Sequence, residues 1–277
     1  LEENLEEYWA RFIDPAGRPG LNYWEYFAER IAELAALRMG TYIFDLGTYD
    51  GNVLFKAMAR INAQGHGVGT DIYYGGFQEG AVEAKQRGWE EKISFVQSDA
   101  NALGFHEGVF HTVLSNFIGL DDCFDFERLE FIKAGNMMSE ICRVLKPGGQ
   151  VGIGSWVKQG DIDWIINRFR KYLPEHDEQI SCYSKENPEG HKLILQKYGF
   201  KDIDVYVEHV DFISPDPETW WRQMRQAAKE CFRQVSDPKR LEIFKRKVFA
   251  DLGQFQISLG IHFSKTVSFA FGTKPDK

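Results

Sequence analysis

The stretch TYIFDLGTYDGNVLF, residues 41–55, constrains the chain more than any other. A strand-length apolar run ends near Asp45, passes a turn holding Gly47 and Gly51, and enters an amphipathic run that reads as a helix. Strand, glycine turn and helix in that order gather backbone amides and a helix N-terminus around a ligand. The G-x-G-x-x-G spacing that cradles a pyrophosphate is absent. An acid at the strand end would repel a pyrophosphate but suits an ammonium group. The ligand implied has a cationic amino-acid end and a nucleoside end.

After Gly40 the pattern alternates in the βαβα manner of an open parallel sheet. Strands are expected at 41–46, 65–71, 92–97, 110–116 and 150–156, with helices at 51–63, 74–87 and 126–145. The last helix ends in RVLKPGGQ, a basic final turn before a Pro-Gly-Gly stop. Two earlier helices, near 3–13 and 21–38, flank the breaker DPAGRPG. Beyond Trp156 the sequence predicts helices at 161–173 and 184–198, a long strand at 202–213, a helical stretch at 216–255 and a final strand at 264–274. No repeat or polar linker divides the chain. One elaborated domain over 1–277 is expected, with an N-terminal helical cap (1–38), a cofactor-binding core (41–156) and substrate-side helical insertions (157–200 and 214–260).

A net charge of −8 argues against a nucleic-acid partner. No apolar run approaches the roughly 20 residues of a membrane helix, and the acidic opening LEENLEEYWA lacks the pattern of a secretory leader. A cytoplasmic protein without a membrane span is expected. Cys123, Cys142, Cys182 and Cys231 are scattered and read as reduced thiols, with neither disulfide nor metal-ligand spacing, so no metal is expected.

The motifs together resemble those of the class I S-adenosylmethionine-dependent methyltransferases, in the small-molecule group that includes ubiquinone-biosynthesis-type enzymes. That family's first motif, acid-x-Gly-x-Gly-x-Gly, is matched by Asp45, Gly47 and Gly51, with Thr48 inside it. Tyr49 stands at the middle glycine, where a left-handed backbone would cost about 1–2 kcal/mol. Asp71 follows Gly51 by 20 residues, a spacing that suits a carboxylate accepting from ribose hydroxyls. The resemblance implies that role, with Ile72 and Tyr73 bordering the adenine. In VQSDANAL, Asp99 matches the family residue that accepts from the adenine amino group, and Ala100 lies beside it. LGFHEGVFHTVLSN is similar to a further family passage, with His111 in place of its usual acid. His106 and His111 read as turn and strand-edge residues.

Ser115, Asn116 and Phe117 end the fourth strand, beside the position the resemblance implies for the sulfonium. SNFIG lacks the two prolines found there in nucleobase and amide N-methyltransferases, which argues against that chemistry. EICRVLKPGGQVGIGSW matches the family's next helix, turn and strand.

The implied fold is α/β: a Rossmann-like, doubly wound, seven-stranded sheet, mostly parallel with an antiparallel C-terminal strand, its site covered by helical insertions. The implied activity is methyl transfer from S-adenosylmethionine to a small, partly apolar metabolite, releasing S-adenosylhomocysteine. A non-catalytic binding or regulatory protein of the same fold is the alternative, while the missing pyrophosphate motif disfavours an NAD-type oxidoreductase. Tyr23, Tyr26 and Trp156 are candidates for the acceptor pocket. Asp121, Asp122, His191 and His262 are candidate bases that no spacing separates.

Overall fold

The computed structural model describes residues 11–13, 19–133, 136–174 and 186–276. The chain begins with β1 (Arg11–Ile13), β2 (Pro19–Asn22) and α1 (Tyr23–Leu34). It alternates through β3 (Thr41–Leu46), α2 (Asn52–Arg60), β4 (Gly65–Asp71), α3 (Phe77–Gln86), β5 (Ile93–Gln97) and β6 (Phe110–Asn116). A small hairpin, β7 (Phe124–Asp125) and β8 (Glu130–Phe131), precedes α4 (Asn136–Val144), β9 (Leu145–Gln159), α5 (Gly160–Tyr172) and α6 (Pro188–Lys197). The last elements are β10 (Lys201–Ser214), α7 (Pro217–Ala227), α8 (Lys229–Arg233), α9 (Pro238–Leu252), β11 (Gln256–Ile257) and β12 (Gly260–Thr273).

Two compact units result, and the chain crosses between them at the start of α1, within β9, before Glu186, and within β10 and β12. The larger comprises Trp24–Trp156, Glu186–Val207 and Ser268–Lys277. Its strands run in the order β10-β12-β9-β6-β3-β4-β5, within a sheet of ten strands among the described residues where seven were expected: β1 and β2 continue the sheet beyond β10, and β11 pairs with β12. β3 pairs in parallel with β4 and β6, β4 with β5, and β6 with β9. Parallel strands covered on both faces must be apolar almost throughout, which is why Ile43, Phe44 and Leu46 are buried. Strand order reverses between β3 and β6, and ligands of open α/β sheets gather at the carboxyl ends of strands at such a point.

The smaller unit comprises Leu1–Tyr23, Val157–Lys185 and Glu208–Val267. Its core is helical and aromatic, with Phe169, Trp220, Trp221, Phe232 and Phe244 in one buried cluster. Within it Lys265, fully buried, donates to the carboxylate of Asp161. Three helices open on acceptor-and-proline signals. Asn187 accepts from Gly190 N–H at 2.8 Å, Asp216 from Thr219 N–H at 2.8 Å and Asp237 from Lys239 N–H at 2.9 Å, each followed by proline.

Some expectations change. Of the helix expected over 3–13, residues 1–10 lie outside the described part, and Arg11–Ile13 is a strand paired antiparallel with β10. Its partner strand lies near the other end of the chain, so helical periodicity could not reveal it. The second expected helix is β2 through Asn22 and a helix only from Tyr23 to Leu34. The helix expected over 126–145 is shortened at its start: Asp125 Oδ1 accepts from Glu127 and Arg128 N–H, and this turn closes a hairpin instead. The 216–255 stretch breaks into three α-helices. Cys123, Cys142 and Cys231 carry no disulfide, and Cys182 lies outside the described residues.

Candidate functional site

At the carboxyl end of β3 the first motif forms a tight loop. Gly47 and Gly51 have φ of 78° and 89°, a region costly for side-chain-bearing residues. Tyr49 adopts the same left-handed backbone, with φ of 47°. Two contacts hold it: its N–H donates to Asp71 Oδ2 at 3.0 Å, and its ring stacks on Tyr73 with centroids 6.2 Å apart. Tyr49 is therefore accommodated in a left-handed backbone by neighbours across the loop. Thr48 sits close on β4, because a Cβ at Gly69 would come within 2.6 Å of its hydroxyl.

Asp45 lies beneath this loop, 1% exposed. Its carboxylate accepts from Thr48 Oγ1 at 2.6 Å and from the Leu54 amide. Burial raises its pKa to about 7 against the pull of those hydrogen bonds, with Asp50 and Asp71 adding to the rise. In this position Asp45 braces the loop through Thr48.

Asp71 ends β4 and uses both oxygens, Oδ2 toward Tyr49 N–H and Oδ1 toward Tyr73 N–H at 2.9 Å. Each oxygen retains a lone-pair direction. Around it Ile72, Tyr73 and Tyr74 are 69%, 62% and 64% exposed, an apolar rim beside a carboxylate. The next strand end is tied in, since Ser98 N–H donates to Asp71 O and Gln97 Nε2 to Ile72 O, both at 3.0 Å. Asp99 is exposed and accepts from the Asn101 N–H and side-chain amide, with Ala100 half-buried beside it.

On the other side of the switch point Ser115 is buried and Asn116 Oδ1 is buried without a hydrogen-bond partner. Phe117 has φ of 61°, and its ring stacks on Trp156 with centroids 4.1 Å apart. Phe27 meets both rings edge-on at 5.1 and 4.9 Å, and Trp24 meets Phe117 at 5.9 Å. Ile118, 40% exposed, packs over Gly47. The larger unit thus brings together the residues expected from Asp45 to Phe117, with Trp156 among them.

Tyr26 lies on α1 with its ring edge against Phe27. Tyr23 belongs to the smaller unit, buried against Phe212 and under Lys265. His191 is wholly buried between Glu186 at 2.7 Å and Ser268 at 3.1 Å, so it is no open base. Asp122 pairs with Lys133 at 3.5 Å, and His262 of the smaller unit lies 3.1 Å from Asp211. His111 sits on β6, its Nδ1 accepting from Tyr42 N–H; burial first, then Lys146, lowers its pKa. Among the described residues no three His, Cys, Asp or Glu side chains group as they would around a metal ion, and no helix is long and apolar enough to cross a membrane. Phe27, Tyr74 and Ile118 were not legible as site residues. The Tyr-Tyr pair after Asp71 was the one available signal.

Comparison with known proteins bears on the family and the fold. The chain is 27% identical over 117 residues to the ubiquinone/menaquinone biosynthesis C-methyltransferase UbiE of Francisella tularensis subsp. novicida, an alignment covering 42% of this chain and 43% of that protein. The UbiE of Idiomarina loihiensis is 27% identical over 203 residues, 72% of this chain and 70% of the relative. The chain therefore spans less than half of the Francisella relative. Among solved structures, phosphoethanolamine N-methyltransferase 2 of Haemonchus contortus, in complex with phosphomonomethylethanolamine and S-adenosylhomocysteine, shares the fold with a TM-score of 0.53 and 19% identity, over 92% of this chain and 55% of that one. The model of the ubiE/COQ5 methyltransferase family matches residues 21–164, more than half of the chain and all of the motif loops from Asp45 to Trp156, so the chain belongs to the ubiE/COQ5 methyltransferase family.

Proposed function

We propose that the chain is an S-adenosylmethionine-dependent methyltransferase acting on a small, partly apolar metabolite, with S-adenosylhomocysteine as product and no nucleic-acid partner. The carrying observation is Asp71: a strand-end carboxylate that orders the first loop, keeps accepting capacity, and is flanked by exposed apolar side chains. A nucleoside needs that combination, an acid for ribose hydroxyls and an apolar rim for a base. The residues fit the cofactor by a second test. Asn116 Oδ1, buried beside the switch point, has no donor, and leaving such a group unmet costs about 1–3 kcal/mol.

In this reading Asp71 holds the ribose, Ile72 and Tyr73 border the adenine, and Asp99 with Ala100 meets its amino edge. Gly47, Thr48, Tyr49 and Gly51 line the methionine part, with Asp45 holding Thr48 in place. Ser115, Asn116 and Phe117 border the reacting end. Bound there, the cofactor supplies an electrophilic methyl group on a sulfonium. The chain's own contribution is alignment and exclusion of water. Trp156, stacked on Phe117, and Tyr26 are the proposed acceptor-side residues, whereas the burial of Tyr23 argues against that role for it.

S-adenosylhomocysteine at about 100 times its dissociation constant should stabilise the protein by roughly 2.7 kcal/mol, read as a raised Tm. NADH should leave the Tm unmoved. The opposite pattern would sink the reading. Transfer of a labelled methyl group into the small-molecule fraction of a cell extract then separates an enzyme from a binding protein.

A further inference from the structure

The smaller unit has a cleft apart from the motif residues. A cleft of about 800 Å³ is lined by residues from the end of β9, α5, β10 and β12 and by Phe255, and none of the motif residues reaches it. That volume falls in the range of small-molecule sites. One wall is aromatic: Phe255 and Phe263 are stacked with centroids 4.3 Å apart, and Trp164 meets Phe255 edge-on at 5.4 Å. Trp164 and Phe255 are only half-buried, so a flat apolar guest would cover ring surface that solvent otherwise reaches.

The polar lining sets the charge of that guest. Among the described lining residues Lys158 supplies a cation, while Arg170 and Asp163 already engage other groups, so one positive charge is left for a guest, which favours a monoanion over a doubly charged phosphate. Lys158 is exposed, and its side chain makes no hydrogen bond or ion pair among the described residues. His209 Nδ1 lies 2.9 Å from Thr266 Oγ1. With that hydroxyl donating, the ring proton sits on Nε2, the form that donates to a carboxylate. His262 differs, because Asp211, which also accepts from Ser264, already faces it.

We propose that this cleft binds a small aromatic monocarboxylate, its ring against Trp164, Phe255 and Phe263 and its carboxylate on Lys158 and His209. The proposal does not rest on methyl transfer, and its test needs no cofactor.

Calorimetric titration should compare 2-naphthoate, its neutral counterpart 2-naphthamide and 2-naphthyl phosphate, using the full chain, Lys158→Gln and Phe255→Ala. Naphthoate should bind at least about tenfold tighter than the amide, since one charge-assisted hydrogen bond accounts for such a ratio. Lys158→Gln should remove most of that preference and leave amide binding unchanged, while Phe255→Ala should weaken both ligands. Lys158 is exposed, so the variant should melt with the wild type, which makes its binding result interpretable. Equal affinities for acid and amide, tighter binding of the phosphate, an unaltered preference in Lys158→Gln, or no binding at millimolar naphthoate would each overturn the proposal.

Discussion

At the ends of β3 and β4, aromatic side chains lie open and a buried carboxylate has no cation. Tyr49, Tyr73 and Tyr74 are about half exposed or more, and Asp45 is braced by a hydroxyl and an amide. In the smaller unit the arrangement is reversed. Trp220, Trp221, Phe169 and Phe244 are closed into a core, and the buried carboxylate of Asp161 has Lys265 as its partner. The first region carries left-handed backbone at Tyr49 and Phe117, whereas an unmet buried polar atom occurs in both, at Asn116 Oδ1 in the first and at Trp220 Nε1 in the second. Backbone strain persists where the surrounding fold over-determines it, and it gathers where ligands bind. The second region shows how the same residue types look when packing is their role.

The largest test of that contrast removes the paired carboxylate. Asp161→Ala leaves the Lys265 ammonium buried, and breaking such a pair costs about 3–5 kcal/mol. A double variant with Lys265→Met should recover most of the loss. Urea unfolding of wild type, Asp161→Ala, Lys265→Met and the double variant measures the coupling, and an Asp161→Ala variant within about 1 kcal/mol of wild type would make the pair incidental.

Asp45→Asn tests the unpaired carboxylate. Its folded pKa of about 7 lies above its unfolded value, so the folded state holds more protons between about pH 4 and 7. Wild-type stability from this group therefore falls as pH rises through that window and levels off above it. Asparagine lacks that slope. Its advantage over wild type should grow from pH 5 to pH 8, to an order of a few kcal/mol. A difference independent of pH would mean that Asp45 does not titrate as its burial implies.

Asp71→Asn should lower affinity for S-adenosylhomocysteine by one to two orders of magnitude, since about 1.4 kcal/mol is tenfold. Because Asp71 also accepts from the Tyr49 and Tyr73 amides, the ligand-free variant should melt somewhat earlier, by about 1 kcal/mol in stability. Calorimetry and melting curves separate the two effects. An unchanged affinity beside a lowered Tm would leave Asp71 as a loop tie alone.

The smallest effect is expected for Tyr49→Gly. Relief of the left-handed backbone is offset by a freer unfolded chain and the lost stack on Tyr73, so stability should shift by less than about 1 kcal/mol. Ligand affinity should weaken roughly threefold to tenfold if the half-exposed ring covers the methionine part, a loss of about 1 kcal/mol. Unchanged or improved affinity would assign Tyr49 to loop geometry only.

Much of the larger unit was legible from residues 41–156, because parallel strands buried on both faces announce themselves as apolar runs between turns. Asp45, Asp71 and Asp99 were readable as strand-end acids. Less readable was what each acid does. Asp45 turned out to be sealed under Thr48, and Asp71 to hold two backbone amides, neither of which spacing encodes. The Phe27, Phe117 and Trp156 cluster joins three separate segments, and only Phe117 and Trp156 stood at strand ends where sequence drew attention to them.

By itself the sequence determined what depends on neighbours a few residues away: the alternation of strand and helix, the glycine-bounded loop after Asp45, and the opening of a helical stretch at Asp216. Such features follow from local sterics and hydrogen bonds, which a short window contains. Tertiary structure alone decided that Arg11–Ile13 would pair with β10, that His191 would be sealed between Glu186 and Ser268, and that Tyr23 would lie under Lys265. Each of those outcomes turns on a partner far along the chain, and burial, which sets both pKa and access, exists only once that partner has arrived.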